Sequence, residues 1–168
     1  MDTNKILIIA NIRCGGTTLL RSLASNYKCP AIFEPTKLED FGNHVVVKAN
    51  AAQHKVEDLL TYSEKFDSVI LLDRKNKEEQ IQSATWMFHH NTSNVKWKWN
   101  KKLEGTPANE KAIYEVGVHT ENLGIISEKL GIEITYYEDI YFGEVLVNGF
   151  IPQISKKLRQ EDTKKIII

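Results

Sequence analysis

An excess of charge of either sign is missing from this chain. Lys plus Arg total 22 and Asp plus Glu total 22, so the formal net charge at pH 7 is zero. Nucleic-acid binders usually carry a basic excess, so no nucleic-acid partner is expected. Zero is only a sum, however, and leaves room for a local basic pocket. Cysteine is scarce too. Cys14 and Cys29 cannot build a disulfide framework, and two thiols are too few for a structural zinc site. Long hydrophobic runs are also lacking: the apolar run near the start, Ile6 to Ala10, is five residues, against the roughly 20 that span a bilayer. The opening residues show no charged segment leading into a long apolar stretch and a small-residue cleavage site. A soluble, cytoplasmic protein with no membrane partner is expected. Internal repeats, low-complexity tracts and linkers are absent, and a single domain over residues 1–168 follows.

What is present is globular composition, with 168 residues, 42% hydrophobic and 26% charged. A chain this long buries roughly 70% of its extended surface, enough for one real core. Lys5 to Ala10 (KILIIA) reads as a strand buried on both faces. His44 to Lys48, Ser68 to Asp73 and Ile132 to Tyr137 resemble it, and Ala31 to Glu34 does so more weakly. Helix-period stretches lie between them, at Thr17 to Tyr27, Gln53 to Lys65 and Lys77 to His90. Another runs from Pro107 to Leu130, with a break expected near Gly117 or Gly124. Strands alternating with helices predict an α/β fold in three layers, a mostly parallel sheet with helices on both faces. Ligands of such sheets bind at the carboxyl ends of the strands, so the residues just after each strand are the ones to read.

Directly after the first strand comes Asn11-Ile12-Arg13-Cys14-Gly15-Gly16-Thr17-Thr18, with Leu19 and Leu20 opening a helix. A strand, a glycine-bearing turn and a helix N-terminus bring backbone N–H groups to one point, which favours an anion such as phosphate. Gly15 and Gly16 allow close backbone approach. Thr17 and Thr18 add hydroxyls, and Arg13 adds a fork that fits phosphate or sulfate oxygens. The plainer reading is a tight turn into a helix with Thr17 as N-cap. A nucleoside-triphosphate P-loop reads GxxxxGK(S/T). Aligned on Gly15, Ala10 stands at its leading glycine and Gly16 at its lysine, so the positive charge has moved upstream to Arg13.

With that shifted charge, ILIIANIRCGGTTLLRSL resembles the 5′-phosphosulfate loop of sulfotransferases that use 3′-phosphoadenosine-5′-phosphosulfate (PAPS), with Cys14 in place of the usual serine. SVILLD running into Arg74-Lys75-Asn76, with Ser83 nine residues after Arg74, is similar to the family's 3′-phosphate motif without its common proline. Phe33-Glu34-Pro35 and Tyr137-Glu138-Asp139 resemble elements of its carbohydrate-type and bacterial members. These matches span roughly residues 5–139. The resemblance implies PAPS as sulfuryl donor and a hydroxyl or amine acceptor on a small molecule or carbohydrate. Arg13, Cys14, Gly15, Gly16, Thr17 and Thr18 would hold the 5′-phosphosulfate, and Arg74 and Ser83 the 3′-phosphate. Arg13 would also stabilise the leaving oxygen, Glu34 would act as base, and Lys48 would stabilise the transferring group.

Other readings stand beside these. Glu34 also fits a turn before Pro35, and Lys48 a solvated strand-end lysine. His44 lies at the wrong end of its strand. Asn91 to Gly105, with Lys96, Trp97, Lys98, Trp99, Lys101 and Lys102, fits an acceptor-binding loop near Trp86, His89 and His90, or a solvated loop anchored by tryptophans. KWKWNKK superficially resembles a nucleic-acid patch. No acid or thiol completes a metal set with His89 and His90 at ligand spacing, so no metal is expected. The chain is short for the family, and its C-terminal cofactor segment has only Lys156, Lys157 or Arg159 as candidates, which read better as a solvated tail. A degenerate P-loop nucleotide kinase or NTPase, and a non-catalytic PAPS- or nucleotide-binding module, are the alternatives.

Overall fold

In the computed structural model, which describes residues 3–89 and 108–141, the elements alternate along the chain. They are β1 (Lys5–Ala10), α1 (Gly16–Tyr27), β2 (Ala31–Phe33), β3 (Val45–Asn50), α2 (Val56–Ser63), β4 (Ser68–Asp73), α3 (Lys77–His89), α4 (Glu110–Leu130), β5 (Ile134–Tyr136) and α5 (Tyr137–Tyr141). The five strands form one sheet in the order β2-β3-β1-β4-β5. Every pairing is parallel, with Ile8 opposite Lys48 and Ala10 opposite Asn50 on one side of β1, and Ile8 opposite Ile70 on the other.

Side chains alternate across the sheet, which divides the core in two. On one face Ile6, Ile8, Ala10, Val46, Ile70 and Leu72 pack against Leu19, Leu20 and Leu23 of α1. On the other, Leu7, Ile9, Val45, Val47 and Leu71 pack against Leu59 and Tyr62 of α2 and Leu123 and Ile126 of α4. All six residues of β1 are buried, as a central parallel strand requires. A third cluster, Ala84 with Ala112 and Val116, joins α3 to α4. The three-layer α/β fold is the one expected, with a sheet that is wholly parallel among the described residues.

Beyond shifts of a single residue, boundaries differ from the sequence reading in the following places. Helix α4 runs unbroken through Gly117 and Gly124, starting at Asn109, whose side chain accepts from Lys111 N, and ending at Gly131 with φ 64°. Capping at both ends and burial of Ala112, Val116, His119, Leu123 and Ile126 along one stripe outweigh two exposed glycines. Strand β3 continues past Lys48 to Asn50, and β5 covers only Ile134–Tyr136. Helix α2 is shorter than the periodic stretch around it, spanning Val56–Ser63.

The chain leaves β1 between β3 and β4, and the loops after β1, β3 and β4 open at the same end of the sheet. That reversal of strand order is where open parallel sheets bind ligands.

Candidate functional site

The loop after β1 is held from below. Asn11 Nδ2 donates to Asp73 Oδ1 at 2.9 Å and to Thr120 Oγ1 at 3.0 Å, and its Oδ1 accepts from Ile12 N at 2.8 Å. Two left-handed residues then turn the chain, Arg13 at φ 55° and Gly15 at φ 79°. Glycine takes that conformation without strain, whereas arginine does so at a cost of order 1 kcal/mol. The turn delivers Gly15 as N-cap of α1. Gly15 has no side chain to cap this helix and the first turn holds no acid, so the positive end of the helix dipole faces the loop without a carboxylate on it. Thr17 is therefore inside the helix, not its N-cap.

Cys14 departs from its expected role. Its thiol is buried, donating to Asn11 O at 2.9 Å, and burial pushes it up to about 12. Only its backbone can face a ligand, because the side chain points into the core.

Lys48 and Glu34 meet beside the loop. Lys48 is 5% exposed, and its Nζ lies 2.5 Å from Glu34 Oε1 and 4.9 Å from the centre of the exposed Phe33 ring. The solvated-lysine reading fails because Lys48 lies within β3, on the face toward α1. A Cβ built on Gly16 would fall 2.7 Å from Lys48 Cε and 3.2 Å from Ala10 Cβ. The Lys48 methylenes thus run through the space that a side chain at position 16 would take. Glu34 sits just past β2 at φ 44°, its N–H donating to Lys48 O at 2.8 Å.

The two sequence motifs also converge. Arg13 Nε donates to Ser83 Oγ at 2.8 Å, linking the first loop to α3. Burial, reinforced by the nearby charge of Arg74, holds the Arg13 guanidinium below its ordinary value. Arg74 leaves β4 almost wholly buried, its guanidinium 4.5 Å above the Tyr137 ring. Its Nη2 meets Glu79 Oε2 at 2.6 Å, while its Nε has no hydrogen-bond partner and lies 3.8 Å from Glu138 Oε1. Two arginines from different strand ends, held together against their mutual repulsion, suit a ligand carrying more than one negative charge.

Several residues of this framework were not singled out from sequence as site residues. Asp73 Oδ1 accepts from Asn11, from Arg74 N at 2.8 Å and from Lys77 Nζ at 2.6 Å. Gln80, fully buried, donates to Ile12 O at 2.7 Å. Glu138 accepts from Lys75 N at 2.8 Å and Asn76 N at 2.9 Å, and Asp139 pairs with Lys75 at 2.7 Å. The Tyr137-Glu138-Asp139 element thus clamps the loop that carries Arg74. The one sequence signal was position, since Asn11 and Asp73 each stand where an apolar strand gives way to polar residues.

Trp86 is buried on α3, and His44 bonds Asn4 N and Tyr27 O away from the site. The expectations for His90, Lys96, Trp97, Lys98, Trp99, Lys101, Lys102, Lys156, Lys157 and Arg159 fall outside the described residues. Among the described residues no group of three or more His, Cys, Asp or Glu is placed to hold a metal ion, and no helix is long and apolar enough to cross a membrane. In comparisons with family models, with curated proteins and with solved structures, the chain matches none.

Proposed function

We propose that this chain is a compact PAPS-dependent sulfotransferase, moving a sulfuryl group to the hydroxyl or amine of a small-molecule or carbohydrate acceptor. The observation that carries the reading is the Arg13–Ser83 contact at 2.8 Å, with the charge of Arg74 adding to the burial that depresses Arg13. It brings the residues proposed for the 5′-phosphosulfate and for the 3′-phosphate into one place, as a single ligand with two anionic groups requires. The α1 N-terminus with Gly15, Gly16, Thr17, Thr18 and the Cys14 backbone would hold the 5′ end. Arg74 and Ser83 would hold the 3′-phosphate.

When bound, PAPS supplies a sulfuryl group on a good leaving oxygen. Lys48, beside Gly16, would neutralise charge on the transferring group. Glu34, 2.5 Å from Lys48, would accept the acceptor's proton. Phe33, 44% exposed next to this pair, offers an apolar face to the acceptor, and sugars stack on such faces. The kinase or NTPase alternative draws little from the site. Gly16 stands at the P-loop lysine position, and the strand-end Asp73 is already engaged by Asn11 and Lys77.

The same Glu34–Lys48 pair favours one second reading, a binding module in which each group neutralises the other. It predicts cofactor binding without transfer and no effect of Glu34→Gln on function. The deciding experiment is calorimetric titration with 3′,5′-adenosine diphosphate against 5′-AMP. The diphosphate is expected to bind at least about tenfold tighter, one charge-assisted contact's worth, and Arg74→Ala to erase the difference. Equal, weak binding of both overturns the proposal. Transfer of labelled sulfuryl to sugar acceptors, lost in Glu34→Gln, separates enzyme from binding module.

A further inference from the structure

The N-terminus of α3 breaks a local rule. Asn76 Oδ1 accepts from Glu79 N at 3.1 Å, as the N-cap of an N-cap/N3 pair does. In a capping box the N3 glutamate reaches back to the N-cap N–H. Here that N–H is taken by Glu138 Oε1 at 2.9 Å, and the Glu79 carboxylate turns instead to Arg74 Nη2 at 2.6 Å. The substitution leaves Glu79, a quarter exposed, on a guanidinium that is nine-tenths buried and still has a donor, Nε, without a hydrogen-bond partner. The reciprocal half of the capping box and Arg74's full satisfaction are both given up for this arrangement.

We propose that Glu79 is a specificity-determining residue, a built-in carboxylate that holds the place of the anion Arg74 receives. An incoming anion must displace a carboxylate 2.6 Å from Arg74. A phosphomonoester dianion, with more charge and three oxygens able to reach Nη2 and Nε together, outcompetes it. A monoanion such as a sulfate monoester or a carboxylate gains nothing from the exchange. Glu79 therefore restricts this position to phosphomonoesters. The inference deepens the proposed nucleotide site and shares with it the premise that Arg74 receives an anion, though it does not require that anion to belong to PAPS.

The test uses the full chain and two simple probes, inorganic phosphate and methyl sulfate, titrated by calorimetry into wild type, Glu79→Gln and Glu78→Gln. Glu78 is the exposed neighbour and serves as the control. Glu79→Gln is expected to bind phosphate about tenfold tighter than wild type and to acquire methyl sulfate binding, with Glu78→Gln matching wild type. Weaker or unchanged phosphate binding in Glu79→Gln overturns the inference, since it would make Glu79 a mere support for Arg74. Equal gains in Glu78→Gln overturn it too, as a general charge effect. Absence of binding by every variant does the same. If 3′,5′-adenosine diphosphate and 5′-AMP bind alike while Glu79→Gln still gains phosphate, the nucleotide reading falls and the Glu79 inference stands.

Discussion

Gly16 shows how much one missing side chain can carry. Its neighbours leave no room for a methyl group, because a Cβ there meets Lys48 Cε at 2.7 Å and Ala10 Cβ at 3.2 Å. Gly16→Ala has helix propensity in its favour, worth up to about 1 kcal/mol, against overpacking of typically ~1–3 kcal/mol. Ala10 belongs to a fixed strand, so Lys48 must yield, and with it the contact to Glu34. Gly16→Ala is expected to change stability by no more than about 1–2 kcal/mol in a urea melt while lowering transfer activity at least about tenfold. A large loss of stability with activity per folded molecule intact would show that Lys48's placement is unimportant. This neighbour was not readable from sequence. Gly16 could be recognised as a close-approach glycine, but not that the approaching group was a lysine 32 positions away on β3. Glu34 and Lys48 were each proposed singly, and only pairing of β2 with β3 makes them partners.

At the scale of elements, legibility followed burial. β1 and β4 match their expected spans residue for residue, because their middles, Ile6 to Ala10 and Val69 to Leu72, are covered on both faces and read as continuous apolar runs, with polar residues at the strand ends. The last strand and the second helix were read too long, since half-buried ends carry no such constraint. Helix α4 was misjudged for a reason that gives a prediction. Glycine normally argues for a break, but Gly117 and Gly124 lie on the exposed face, neither has positive φ, and nothing lies within 4 Å of a Cβ built on either. Their substitution restricts the unfolded chain without a folded-state penalty. Gly117→Ala and Gly124→Ala are each expected to stabilise the protein by about 0.5–1 kcal/mol, additively, since the sites lie about two turns apart. Chemical denaturation of the single and double variants checks this. Destabilisation by either would mean that the α4 surface is covered by something a methyl group disturbs. The Tyr137-Glu138-Asp139 clamp on the 74–76 loop was legible only as a family likeness, its contacts depending on pairing of β4 with β5.

For the whole molecule, the neutral charge sum conceals an asymmetric response to pH. Buried groups that must stay protonated dominate the alkaline side. Burial raises Cys14 from 9.0 to about 12, and Tyr62, packed under the sheet with its hydroxyl donating to Glu39 O, from 10.0 to about 12. Both hold their protons more tightly folded than unfolded, so their stabilising effect is complete below pH 9. Above that pH the unfolded chain ionises first, and stability falls until the folded values near pH 12 are passed. Within this window each pH unit removes up to about 1.4 kcal/mol through the wholly buried Cys14, and less through Tyr62, whose hydroxyl end is partly solvated. Urea midpoints are therefore expected to be flat from pH 7 to 8.5, roughly the span below both ordinary values, and to drop steeply from pH 9 to 11. Cys14→Ala with Tyr62→Phe is expected to start lower, having lost buried contacts, yet to decline far less over the same range. Parallel decline of wild type and double variant would locate the alkaline sensitivity elsewhere. Two other groups among the described residues are raised in the fold: Cys29, by partial burial, which adds a smaller loss in the same direction, and Lys75, exposed and paired with Asp139, where solvent screening leaves little to lose.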